Sequence, residues 1–167
     1  MISKHISEKE ATKSITAMRL GLANTPDGSI LTNMKGVAES VFEPLRKWVG
    51  GAIKINSFYR SEALNKAIGG SSKNGKQTSQ HCFGQAIDID DIYGYKTNAE
   101  MFFWIKENLI FDQMIWEFGN GDNPDWIHIS YVSDSVSYGV TNGNRNRILK
   151  AVRDKGKTQY IDITNGN

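Results

Sequence analysis

Two histidines and two aspartates stand at spacings from which a hydrolytic metal site can be assembled. The first pair lies in Ser79-Gln80-His81-Cys82-Phe83-Gly84-Gln85-Ala86-Ile87-Asp88. A glycine between His81 and Asp88 lets the chain turn back, so that both side chains can aim at one centre. Asp88 alternates with Ile87 and Ile89, which puts it on one strand face with Ala86 and Asp90 and leaves the isoleucines on the other. A carboxylate in that setting needs a partner, and a cation is one. The second pair lies in Asp125-Trp126-Ile127-His128-Ile129-Ser130, where His128 faces the same way as Trp126 and Ser130. His81, Asp88 and His128 make a three-ligand set suited to a catalytic zinc ion whose fourth position is left to water. Asp125, three residues before His128, is placed beside that water, where a carboxylate can take a proton and later hand it to a leaving amine. On spacing alone a plainer reading stands next to this one: a strand histidine satisfied within the structure, with the carboxylates on a solvated face.

The elements that must hold these residues follow from local pattern. Ser7-Glu8-Lys9-Glu10 is a capping-box pattern and predicts a short helix. Thr25-Pro26-Asp27-Gly28 reads as a turn leading into another cap. From Ile30 to Val49 the apolar positions Leu31, Met34, Val37, Val41, Leu45 and Trp48 recur every three or four residues, an amphipathic helix stopped by Gly50-Gly51 and kinked or divided at Pro44. Residues 52–57 read as a strand, and Ser61 caps a short helix through Ile68. Residues 69–79, rich in Gly, Ser, Lys and Asn, read as a loop without apolar anchors, with His81 at its end. Strands are expected over 85–89, 113–118 and 126–132, the last two joined by the turn-rich 119–124, and a helix over 99–109. A strand or helix is expected around Ile148–Val152 and a final strand over Gln159–Ile163. Helices first and strands after make the fold class α+β, with N-terminal helices packed on a small, mostly antiparallel sheet.

The chain of 18.7 kDa, with 39% hydrophobic and 23% charged residues, has the balance of one globular domain spanning residues 1–167. Its one cysteine, Cys82, excludes an internal disulfide framework and any zinc site needing several thiolates; a small packed residue is the expected role. His5, near the start, is expected to be exposed or capping. No apolar run reaches the roughly 18–20 residues of a membrane span, and Met1–Ile6 has no apolar core of a signal peptide, so synthesis in the cytoplasm without membrane insertion is expected. The net charge of +2 hides an asymmetry: residues 1–80 carry 12 Lys+Arg against 6 Asp+Glu, residues 81–140 carry 2 against 10, and residues 141–167 carry 6 against 2. The acidic middle block, holding two of the three histidines, suits a bound cation. The basic run Arg145, Arg147, Lys150, Arg153, Lys155 and Lys157 reads as a solvated face, or as one drawn to an anionic wall. Nucleic-acid binding rests on the basic ends alone, and the acidic centre argues against it.

Ser-x-His-x-x-Gly-x-Ala-x-Asp, followed by an acidic residue three before a second histidine, resembles the M15 zinc peptidases. Ser79, His81, Gly84, Ala86 and Asp88 fill the first pattern, and Asp125 and His128 the second, with Asp as the acid. Similarity extends to Ser57-Phe58-Tyr59-Arg60-Ser61 with Leu64-Asn65, to Gly69-Gly70, and to Phe111-Asp112-Gln113 leading to Glu117-Phe118, so that it covers about residues 5–160. The resemblance implies a hedgehog-like or D-Ala-D-Ala-peptidase-like fold with zinc held by His81, Asp88 and His128. It makes Asp125 the general base and acid, and Arg60 the arginine that steadies substrate and oxyanion. Ser79 would line the site as a substrate contact or as a hydrogen-bond partner of a ligand. Glu117 would orient a ligand or face substrate, the sequence leaving both open.

The expected activity is hydrolysis of an amide in the peptide stem of bacterial peptidoglycan, by an endopeptidase of the phage-lysin kind. A D,D- or L,D-carboxypeptidase is the enzymatic alternative, and a non-catalytic wall-binding or virion module that keeps the fold is the alternative of another class. The expected partner is the stem peptide. A protein so made would reach the wall after release by a holin or as part of a virion, as a monomer or within that particle.

Overall fold

In the computed structural model, residues 1–133 and 143–166 are described. The N-terminal helices begin where side chains replace missing backbone acceptors. Ser7 Oγ accepts the Glu10 N–H to open α1 (Glu8–Ala11), and Ser14 does the same for α2 (Ile15–Leu20). Asp27 accepts two N–H groups, from Ser29 and Ile30, to open α3 (Gly28–Val37). The long amphipathic helix expected from Ile30 to Val49 is divided: α3 leads through a π-helical turn over Ala38–Phe42 into α4 (Glu43–Val49), with helical backbone at both junctions. That wide turn answers Pro44, which has no N–H to give and whose ring crowds the carbonyl one turn back. Gly50, at φ +77°, closes α4.

The six-stranded sheet has the order β1-β4-β6-β5-β7-β8: β1 is Lys54–Ser57, β4 Ala86–Asp90, β5 Gln113–Glu117, β6 Trp126–Ser130, β7 Arg147–Asp154 and β8 Lys157–Asp162. All neighbours are antiparallel except β5 and β7. One face is apolar. Ile87, Ile89, Ile127, Ile129, Met114 and Trp116 pack there on Met34, Val37, Val41, Phe42 and Leu45, and on Met101, Phe102 and Ile105 of α6 (Asn98–Asn108). Alternation sends Asp88, His128 and Glu117 to the other face, over a small apolar floor of Ile115, Leu149 and Ala151. The α+β class and the mostly antiparallel sheet are as expected, and no helix among the described residues is long and apolar enough to cross a membrane.

Residues 69–79 differ from expectation. They hold a second sheet, the hairpin β2 (Ser72–Lys73) and β3 (Lys76–Gln77), which follows α5 (Glu62–Ala67). Asn74 and Gly75 turn it at φ +51° and +77°, the left-handed pair that matches strand twist. His81 therefore sits on a 3₁₀ turn, Gln80–Phe83, rather than at the end of a free loop. The element around Ile148–Val152 is strand β7, and its hairpin with β8 runs to Asp162.

Candidate active site

In the pairing of β4 with β6, Asp88 stands directly opposite His128, so their side chains share the polar face. His128 Nδ1 lies 2.9 Å from Asp88 Oδ1. The third member arrives from outside the sheet. Gly84, at φ +66°, ends the 3₁₀ turn, and a Cβ there would stand 2.7 Å from both the Ile30 carbonyl oxygen and Met34 Cγ. The turn is thus pressed onto α3 and swings His81 over the strand. His81 Nε2 is 3.2 Å from Asp88 Oδ1 and 3.2 Å from His128 Nδ1.

The donor set fits a metal ion. His81 Nδ1 lies 2.7 Å from the Phe58 carbonyl oxygen, which can only accept, so Nδ1 carries the proton and Nε2 turns a lone pair toward the cluster. A neutral His128 can put one proton at most into the triangle of Nε2, Oδ1 and Nδ1. At least two of the three atoms therefore meet as bare lone pairs, and a cation is what satisfies them. The three ligand atoms lie 2.9–3.2 Å from one another, against about 3.3 Å between neighbours around a tetrahedral zinc with bonds near 2.0–2.1 Å.

Charge is arranged to suit. Asp88 is 8% exposed; burial opposes its charge, but its interactions with His81 and His128 outweigh that and hold its pKa well below the usual carboxylate range. Burial, against the pull of Asp88, keeps the His81 imidazole neutral, the form that binds a metal. Asp88 Oδ2 accepts from Arg60 Nη2 at 3.1 Å, while Arg60 Nε donates to Ser57 Oγ at 3.0 Å. Ser79, Arg60 and the trio line one cavity of about 560 Å³.

Other residues singled out by sequence fall into place differently. Glu117 lines that same cavity and is 7% exposed; burial pushes its pKa up to about 7, the pull of His128 notwithstanding. Asp125 is exposed at the entrance of β6. Its N–H donates to the Glu117 carbonyl oxygen at 2.9 Å, and its side chain borders an adjoining cavity with Asp90 and Asp91, which meets the first at Phe118. Cys82 is buried and its thiol is pushed up to about 11 by burial, which makes it an inert packed residue. His5 pairs with Glu43 at 2.6 Å. Arg145, read from sequence as part of a solvated face, instead holds Asp112 through Nε and Nη2, each at 2.6 Å. Asp112, with 0% exposure, also accepts from Gln80 Nε2 at 2.9 Å, next to His81. The sequence marks Phe111-Asp112-Gln113 as a stretch of similarity but names no partner for the acid; only the fold brings residue 112 to residues 80 and 145.

The family model described as Peptidase M15 matches residues 4–130, well over half of the chain, a span that contains Arg60, Ser79, His81, Asp88, Asp125 and His128. Nothing among curated proteins matches the chain.

Proposed function

The chain belongs to the peptidase M15 family, and from that premise we propose that it is a zinc metallopeptidase that hydrolyses an amide bond in the peptide stem of bacterial peptidoglycan, as an endolysin-type endopeptidase. The observation that carries this reading is the convergence of His81, Asp88 and His128 beside Arg60 at the floor of one cavity. Those three residues would hold the ion, which when bound supplies Lewis-acid polarisation of the scissile carbonyl and of a water.

The chain's own groups do the rest. The Phe58 carbonyl oxygen fixes the His81 tautomer. Arg60, anchored by Ser57 and Asp88, keeps guanidinium N–H groups for the oxygen that gains charge in the tetrahedral intermediate. Ser79 contacts the substrate along the cavity wall. Asp125, the acid of the Asp-x-x-His spacing, takes the proton of the attacking water. A phage lysin released through a holin, or a virion component, is the setting in which such a protein meets its wall.

The test is mass spectrometry of muropeptides from purified peptidoglycan incubated with zinc-loaded protein, beside D125N and H128A. A single stem bond cut by the parent and by neither variant is the expected result, and the fragment masses separate an endopeptidase from a carboxypeptidase. Zinc-loaded parent that cuts no stem chemistry overturns the reading in favour of a wall-binding or virion module.

A further inference from the structure

The cavity that holds the trio extends along the sheet to a pair of polar side chains that have no part in the roles above. Gln113 begins β5 and Arg147 begins β7, and the parallel register sets them directly opposite each other. The same register puts Ile115 opposite Leu149, and Ile115 also opposes His128. Alternation therefore keeps Gln113 and Arg147 on the face that carries His128, one pleat period before that row. Two strand spacings across and two residues along place the Arg147 Cα about 12 Å from that of His128. Both side chains line the cavity.

Both also keep donors to spare. Gln113 gives its backbone N–H to Ser130 Oγ, and its half-buried carboxamide has no partner among the described residues. Arg147 uses only Nε, on Asp162 Oδ2 at 2.9 Å, which leaves both Nη groups unengaged among the described residues. The other oxygen of Asp162 accepts the N–H and the hydroxyl of Thr164, so this acid steadies the guanidinium without closing its outer edge. An ion pair with side chains 45% and 49% exposed adds little to stability, and β7 and β8 are already joined by a continuous ladder. The acids that line the cavity stand toward its other end. Glu117 lies two pleat periods beyond Gln113 on β5, and Asp88 is taken by the histidines and Arg60. A guanidinium edge and a carboxamide N–H₂ side by side, next to the apolar floor of Ile115 and Leu149, match the two oxygens of a carboxylate.

We infer that Gln113 and Arg147 form a subsite for a free carboxylate of the stem peptide, and that this subsite selects stems in which that group is not amidated. The inference rests on the peptidase reading. At roughly 3.3–3.6 Å per extended residue, the subsite reads a group about two to four residues from the scissile amide. A stem offers two such groups: the α-carboxylate left free where a glutamate is linked through its γ-carboxyl, and the carboxylate at the C-terminus. Amidation of either removes the charge and turns an acceptor oxygen into a donor that faces donors.

The test uses zinc-loaded parent, R147Q and R147K with three synthetic stem tetrapeptides: both carboxyls free, the glutamate α-carboxyl amidated, and the C-terminal carboxyl amidated. The parent is expected to lose about 10-fold or more in kcat/KM on one of the two amides, and that amide names the group being read. R147Q is expected to lose about the same factor on the free acid and to treat all three peptides alike, with zinc content and melting temperature as in the parent. R147K, a cation without the planar fork, is expected to recover part of the preference. A parent indifferent to both amidations overturns the inference, as does an R147Q that keeps the preference. If the parent cuts none of the peptides, the wall reading fails on its own, and calorimetric binding of the same three peptides decides the subsite. Tighter binding of the free acid than of one amide, lost in R147Q, upholds it; equal binding, or none, overturns it.

Discussion

Asp88 serves three partners with two oxygens: Oδ1 meets both histidines and Oδ2 meets Arg60. D88N removes a ligand and the counter-charge of a mostly buried guanidinium together. Zinc affinity, measured by competition with a chelating dye, is expected to fall beyond the roughly 10–100-fold that loss of an outer hydrogen-bond partner costs. The two buried carboxyls of the site also pull stability in opposite directions with pH. The depressed pKa of Asp88 stabilises the fold above its unfolded value near 3.9, a contribution lost as pH falls through the folded value. Glu117, pushed up to about 7, does the reverse: its contribution is present below the unfolded value near 4.3 and is lost as pH rises through 7. Chemical denaturation of the metal-free protein is therefore expected to show E117Q flattening the decline between pH 5 and 8, with little change at pH 5. A decline of the same size in E117Q would mean that another group causes it.

At the scale of elements, the site depends on a 3₁₀ turn being clamped between α3 and β4. Gly84 makes this possible twice over, by its positive φ and by the 2.7 Å approach that a Cβ would make to the Ile30 carbonyl oxygen. G84A has to strain the backbone and push the turn off α3, so we expect destabilisation of about 1–3 kcal/mol and weaker zinc binding, because His81 moves with the turn. Equal zinc affinity in parent and G84A would detach the turn from the site. The hairpin at residues 72–77 belongs to the same scale. Asn74-Gly75 is a strong hairpin signal, and the polar composition around it masks that signal when a segment is read for apolar anchors alone.

Across the whole molecule, the Asp112–Arg145 pair joins three distant stretches: the end of the segment before β5, the turn that carries His81, and the approach to β7. Asp112 has 0% exposure, while the Arg145 side chain is 40% exposed. R145A leaves a buried charge with Gln80, the Ser130 hydroxyl and one backbone N–H as its donors, and about 3 kcal/mol of stability is expected to go with it. R145K is expected to recover only part, since an ammonium cannot reproduce the two-pronged contact. A melting temperature unchanged in R145A would show that the pair contributes nothing net. Strands β7 and β8 lie beyond the family match, yet Arg147, Leu149 and Tyr160 line the cavity from them. This part of the wall is therefore supplied by chain outside the matched span.

The sequence by itself determined what depends on neighbours along the chain. Ser7, Asp27 and Ser61 cap their helices because a cap needs only the next three residues. His81, Asp88 and His128 were legible because strand alternation and one glycine fix where a side chain points. Other features were decided only by the tertiary structure. The parallel pairing of β5 with β7, the burial of Asp112, and the separation of Glu117 in one cavity from Asp125 on the adjoining one all depend on strand register between residues far apart in sequence. The physical reason is that desolvation has no local code: the same carboxyl is an ordinary acid in water and a proton-holding group in a cavity, and its surroundings are set by strands that meet only in the folded sheet.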